Sequence, residues 1–193
     1  MFDLLLANID KKVSLSEEEK SLLPSFYTQK KLRKKQYLLQ EGDVSKYTAF
    51  VNKGLLRAYR LDDDGNEHII QFACEDWWMS DIYSFLTGEV STLNIDALED
   101  TEILLITKAA QDEMVIRIPK MERYLRLLMQ NSLIALQRRL ISSLNFTAED
   151  KYLQLLAFSP GIIQRVPQHY IASYLGITPE TLSRIRRQIA MRL

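Results

Sequence analysis

Cysteine is almost absent from these 193 residues: Cys74 stands alone. No intrachain disulfide framework and no iron–sulfur cluster held by four thiolates of one chain can therefore form, and a reduced cytoplasm is the expected compartment. Histidine is nearly as scarce. His68 and His169 are the two imidazoles, too few to converge as the ligand sets of β-roll oxygenases and isomerases do, and the sole candidates for haem iron. Long apolar runs are missing as well: Met1 to Leu6 opens one, but Asn8, Asp10 and Lys11 break it short of a signal h-region or a membrane span. No membrane partner is expected. A P-loop, a Gly-x-Ser-x-Gly elbow and a dinucleotide fingerprint are all lacking, so the chain reads as something other than an enzyme. Net charge is lacking too, with 25 basic against 25 acidic residues, and any nucleic-acid function must come from local clustering.

That clustering is present at the end of the chain. Beyond Gly161 lie Arg165, Arg184, Arg186, Arg187 and Arg192 against one carboxylate, Glu180, which leaves the rest acidic on balance. From Phe26 to about Ile106 the texture is of short β-branched and aromatic segments: 26–32, 36–39, 47–51, 55–61, 68–73, 93–97 and 102–106. Turn signals at Glu41-Gly42-Asp43, Lys53-Gly54 and Asp63-Asp64-Gly65-Asn66 separate them, and Asp64-Gly65 is the strongest hairpin signal. Short strands at this spacing predict a β-sandwich or barrel. Ahead of them, Ser16-Glu17-Glu18-Glu19 has the form of a capping box that starts a short helix. Cys74 closes an apolar strand and reads as a core residue, and Trp77-Trp78 either plugs a core or roofs a pocket.

After Thr107 the period becomes helical. Pro119 to Leu144 offers about seven turns without internal Pro or Gly. One apolar row holds Leu125, Met129, Leu133, Leu136, Leu140 and Leu144, and a second holds Leu127, Leu128, Ile134 and Ile141. Two apolar faces call for two partners, one of them the helix's own copy in a second subunit. Thr147-Ala148-Glu149-Asp150 starts another helix to about Phe158, and Ser159-Pro160-Gly161 is expected to end it.

The last segment carries the functional reading. Pro167 to Leu175 forms a short helix that Gly176 closes, and Thr178-Pro179 restarts one with Thr as N-cap and Pro in the first turn. Two short helices joined by a tight Gly turn make a helix-turn-helix. At about 100° per residue, Leu182, Ile185 and Ile189 fall in one arc, to pack on Ile171, Ala172 and Leu175. Glu180, Ser183, Arg184 and Arg187 fall together on the opposite side. Such a surface suits the major groove: Arg184 or Arg187 can pair with guanine, Glu180 can accept from cytosine N4, and Ser183 allows close approach. Thr178, Thr181 and Gln168 are placed to bind phosphate.

At this point the sequence resembles the cyclic-AMP receptor and fumarate-nitrate regulator (Crp/Fnr) family of bacterial transcription factors. Thr178-Pro179-Glu180-Thr181-Leu182-Ser183-Arg184-Ile185 looks like that family's recognition helix, and Leu39-Gln40-Glu41-Gly42-Asp43 with Phe50-Val51-Asn52-Lys53-Gly54 looks like its cyclic-nucleotide-binding β-roll. The resemblance implies an α+β chain in three parts. These are an N-terminal double-stranded β-helix, a jelly-roll-like sensor at 1–118, a long dimerisation helix at 119–145, and a C-terminal helix-turn-helix domain at 146–193. It implies as partners double-stranded DNA, a second copy of the chain and RNA polymerase, and no cofactor, with a small-molecule effector of open identity.

Two departures from the family pattern matter. Nucleotide-binding members carry a Gly-Glu pair for ribose and an Arg followed by Ser or Thr for the cyclic phosphate. Alignment puts Ser80-Asp81 at the first and Ser91-Thr92 at the second, with no Arg; using Gly88-Glu89 instead does not restore the cation. Burying a phosphate without it is costly, so cyclic AMP in the usual mode is not expected, and Ser80, Asp81, Ser91 and Thr92 are candidates to line a pocket for something else. The sequence also stops at Leu193, without the β-hairpin wing many relatives have after the recognition helix. Two other readings are a ligand-binding module whose C-terminal helices contact protein, and, with less in its favour, a β-roll metalloenzyme.

Overall fold

The computed structural model describes residues 2–192, so the expectation about a wing after residue 193 lies outside the described residues. The described residues divide into two compact units, residues 2–60 with 71–130 and residues 61–70 with 131–192. Among the described residues no helix is long and apolar enough to cross a membrane.

The first unit is built on two antiparallel sheets. In chain order the strands are β1 (Thr28–Leu32), β2 (Tyr37–Leu39), β3 (Tyr47–Lys53), β4 (Leu56–Leu61), β5 (Glu67–Ala73), β6 (Trp78–Met79), β7 (Asn94–Ala97) and β8 (Thr101–Thr107). One sheet runs β1-β8-β3-β6 and the other β2-β7-β4-β5, so the chain crosses between sheets repeatedly, in the jelly-roll manner. Ala49, Val51, Ile103 and Leu105 face Leu56, Ala58, Ile95 and Ala97 in the core between the sheets. Because side chains alternate along a strand, Phe50, Leu104 and Ile106 point the other way. There they meet Leu5, Ile9, Leu23, Phe26, Met114, Met121 and Tyr124 from the surrounding helices. With both faces covered, β3 and β8 read as nearly unbroken apolar runs, a departure from clean alternation that follows from two-sided burial.

The helices begin where the chain chemistry says. Helix α1 is Asp3–Asp10 and α2 is Glu17–Leu22. Ser16 caps α2 through the Glu19 N–H at 3.2 Å while the Glu19 carboxylate accepts from the Ser16 N–H at 2.7 Å, the reciprocal box read from the sequence. A 3₁₀ turn over Leu23–Phe26 takes Phe26 out of the predicted first strand, because Pro24 favours that turn and Phe26 is needed in the core. Helix α3 (Ile82–Thr87) was not predicted: it is six residues long, too short to show a period. Helix α4 is Lys108–Arg117, capped by Thr107, and the long helix α5 is Lys120–Asn145.

Gly54, between β3 and β4, has a positive φ of 103°, and a Cβ there would lie 2.5 Å from Thr101 Oγ1 and 2.7 Å from its Cα. Gly54→Ala is expected to lower unfolding free energy by about 2–4 kcal/mol, from a strained backbone plus overpacking. A urea midpoint unchanged from the parent would contradict this.

The second unit is helical apart from residues 61–70, which hold the end of β4, the turn after it and the first part of β5. Helix α6 is Ala148–Phe158, α7 Pro160–Arg165, α8 Gln168–Leu175 and α9 Pro179–Ala190. Thr147 and Asp150 form the capping box of α6. Ser159-Pro160-Gly161 does end α6, but Pro160 also opens α7 at once, since Pro fits the first helical turn where its missing N–H is not needed. Tyr152, Ile162, Ile163, Ile171, Ala172, Leu182 and Ile185 of these helices are buried, as is Val166 just after α7.

Candidate nucleic-acid interface

Helices α8 and α9 pack on one another across a tight turn. Gly176 closes α8 with φ +67° and ψ 38°, the left-handed conformation that glycine adopts without penalty, and the Ile177 N–H donates to the Ala172 carbonyl at 3.0 Å. Thr178 then caps α9, its Oγ1 accepting from the Thr181 N–H at 3.2 Å, and Pro179 takes the first helical position. Leu182 and Ile185 are buried, while Ile189 is half-buried. On the other side of α9, Glu180, Ser183, Arg184 and Arg187 are exposed and line one open concavity with Pro179, Gln188 and Met191. The arrangement therefore brings together the four residues that helical spacing grouped, and adds Gln188 and Met191. Both additions lie one turn beyond Arg184 and Arg187, so the same 100° arithmetic carried further finds them.

The electrostatics of that face are those of a partly charged acceptor–donor surface. The Glu180 carboxyl is held below the usual glutamate range by its own backbone N–H and by the Thr178 hydroxyl, so it is an acceptor at neutral pH. Gln168, the first residue of α8, is exposed and so is Thr178. Thr181 is half-buried, and its hydroxyl accepts from that of Thr178 at 3.2 Å. Arg192 pairs with Glu149 of α6, which takes one of the five C-terminal arginines into the fold.

The four candidates for an effector pocket end up differently. Asp81 is buried and caps α3, accepting from the N–H groups of Tyr83 at 3.1 Å and Ser84 at 3.2 Å through Oδ1. Its Oδ2 accepts from Ser91 Oγ at 2.6 Å, so these two residues are together but spent on one another. Ser80 is half-buried and Thr92 exposed. Gly88 closes α3 with φ +77°, and the exposed Glu89 accepts from Tyr83 Oη at 2.7 Å.

A buried cation does exist in this unit, at a place the sequence did not suggest. Arg57 on β4 faces Asp96 on β7, with Nε–Oδ1 at 2.7 Å and Nη2–Oδ2 at 3.0 Å, a bidentate pair with both side chains buried. The guanidinium lies 4.2 Å from the centre of the Tyr59 ring, whose hydroxyl meets that of Tyr37 at 3.2 Å. By strand alternation this cluster is on the face of β4 opposite Leu56 and Ala58. An Arg and an Asp 39 residues apart carry no joint signal in the sequence; only strand register unites them.

Residues 29–117 match the family described as the cyclic nucleotide-binding domain. Over 190 residues the chain is 26% identical to the regulatory protein HlyX of Actinobacillus pleuropneumoniae, covering 89% of this chain and 76% of that one. Over 186 residues it is 25% identical to the fumarate and nitrate reduction regulatory protein of Vibrio cholerae, covering 89% and 73%. The chain is thus similar to regulators of the Crp/Fnr family. Its fold is that of this family's β-roll and helix-turn-helix proteins: FixK2 from Bradyrhizobium japonicum superposes with a TM-score of 0.74 at 20% identity, covering 86% of this chain and 85% of that one. The family proteins matched are transcription regulators rather than enzymes.

Ser91 is already bonded to Asp81, and the buried Arg57 is paired with Asp96.

Proposed function

We propose that this chain is a Crp/Fnr-type regulator, a homodimer that reads an inverted-repeat DNA operator with α9. The observation that carries the reading is the two-sidedness of that helix: Leu182 and Ile185 are buried while Glu180, Ser183, Arg184 and Arg187 stand in solvent. In this reading Arg184 and Arg187 pair with guanine edges, Glu180 accepts from cytosine, and Ser183 lets the helix approach. Thr178 and Gln168 hold phosphate, and Thr181 supports Thr178. Residues 119–145 pair two subunits and space the two readers about one DNA turn apart, with 1–118 as the sensor and 146–193 as the reader. Contact with RNA polymerase, a cytoplasmic location and the lack of catalysis belong to the same proposal. An effector bound near Ser80, Asp81, Ser91 and Thr92 would have to compete with the Asp81–Ser91 hydrogen bond.

The experiment is selection of bound fragments from random duplex DNA, followed by titration across ionic strength. We expect a palindromic site and a steep loss of affinity with salt, from release of counterions at phosphate contacts. Arg184→Ala should cost about 1–3 kcal/mol at one base of each half-site and relax specificity there. Equal affinity of variant and parent for the selected site would remove Arg184 from the reading role. Binding to a protein partner instead would show no preferred duplex.

A further inference from the structure

Strand β5 is the outer strand of its sheet, and an edge strand presents backbone N–H and C=O groups with no neighbour to pair them. In the unit formed by residues 61–70 and 131–193 those groups are taken by two side chains. Ser173 Oγ of α8 donates to the Glu67 carbonyl at 2.7 Å and accepts from the Ile69 N–H at 3.0 Å. Arg139 of α5 donates through Nη2 to the Ile69 carbonyl at 3.1 Å and through Nη1 to the Ile70 carbonyl. The same Nη2 reaches the Tyr174 carbonyl of α8 at 3.3 Å, and the guanidinium stacks 4.3 Å from the Tyr174 ring centre. The turn between β4 and β5 is thus clasped to the first helix of the helix-turn-helix.

The turn is also the wrong sign for DNA. It carries Asp62, Asp63, Asp64 and Glu67. Asp62 organises the turn itself, its Oδ1 accepting from the N–H groups of Asp64 at 3.1 Å and Asn66 at 2.8 Å, with His68 against Oδ2. Asp63 and Asp64 are exposed. Gly65, Asn66 and Glu67 share one cleft with His169, Thr178 and Pro179, the edge at which α9 begins. Like charges within about 10 Å repel at ordinary salt, so a phosphate and this acidic turn cannot occupy that edge together cheaply.

We infer that the β4–β5 turn is an autoinhibitory latch, clasped through Ser173 and Arg139, which must leave the helix-turn-helix before DNA phosphate can reach the start of α9. The inference rests on the DNA-binding reading above, and its test keeps the two apart.

Affinity of the full-length parent for its selected duplex is measured first by fluorescence anisotropy. Ser173→Ala, which removes both clasp bonds to β5 that this hydroxyl makes, should bind the duplex about three- to tenfold more tightly, the net worth of about one hydrogen bond. Asp63→Asn with Asp64→Asn leaves the clasp in place and should also tighten binding, with a larger gain at low salt. Hydrogen exchange at the Ile69 amide, protected by Ser173 Oγ, should accelerate when duplex is added to the parent. If the parent binds duplex but neither variant binds more tightly, and Ile69 stays protected in the complex, the latch is overturned and the DNA reading survives. If the parent shows no duplex binding at any salt, both fall. Circular dichroism and the melting transition confirm that each variant is folded before its affinity is compared.

Discussion

Exchange of Leu136 and Leu140 for glutamate is expected to yield folded monomers whose affinity for a two-half-site operator is about 10²–10⁴-fold below that of the parent. Leu133, Leu136, Leu140 and Leu144 are 66%, 64%, 59% and 74% exposed, a contiguous apolar row of the kind that marks an interaction surface, and the dimer proposed above would cover it with a second helix. Their spacing of three and four residues places them on one side of α5, as a seam between two paired long helices requires. Glutamate on both sides of such a seam puts like charges face to face in a desolvated interface, so pairing is lost while the helix, in which glutamate is a good former, persists. The affinity loss follows from arithmetic: with one reader bound, the second in a dimer sees its half-site at high effective concentration, and a monomer does not. Sedimentation equilibrium with anisotropy on the same samples decides it. A variant that remains dimeric would show that this row is not the interface.

The second large effect concerns stability. Asp96→Ala should lower unfolding free energy by about 3–5 kcal/mol, because it leaves the Arg57 guanidinium buried without its countercharge. The 2.7 and 3.0 Å bonds and the near-complete burial of both side chains set this pair apart from solvent-screened ones such as Lys31–Glu102. The double variant Arg57→Met with Asp96→Leu replaces both charges by apolar groups of similar size and should recover most of the loss. Urea denaturation of the three proteins makes the comparison. A small effect of Asp96→Ala alone would mean that water or another acceptor reaches Arg57 once the carboxylate is gone.

How much of this was readable beforehand depends on the range over which each feature is decided. Capping at Ser16, Thr147 and Thr178 was legible because a side chain and an N–H three residues on settle it locally. The two faces of α9 were legible because helical period alone sorts them. Helix α3 was not, since six residues hold no period and Asp81, its N-cap, read as a pocket residue. Helix α7 was missed because Pro160 serves equally as the end of one helix and the start of the next.

The amino-acid order by itself therefore determined the strand-rich first part, the long helix with its apolar leucine row, and the two-sided helix at the carboxyl end. Each of those is written in a period or a cap spanning a few residues. Only tertiary structure decided that Arg57 meets Asp96, that Asp81 is consumed by Ser91, and that Ser173 and Arg139 close the free edge of β5. These partners are 39, 10 and about 70–106 residues apart. Hydrogen bonds act over about 3 Å, so which groups meet is settled by strand register and helix placement, and no local pattern encodes it.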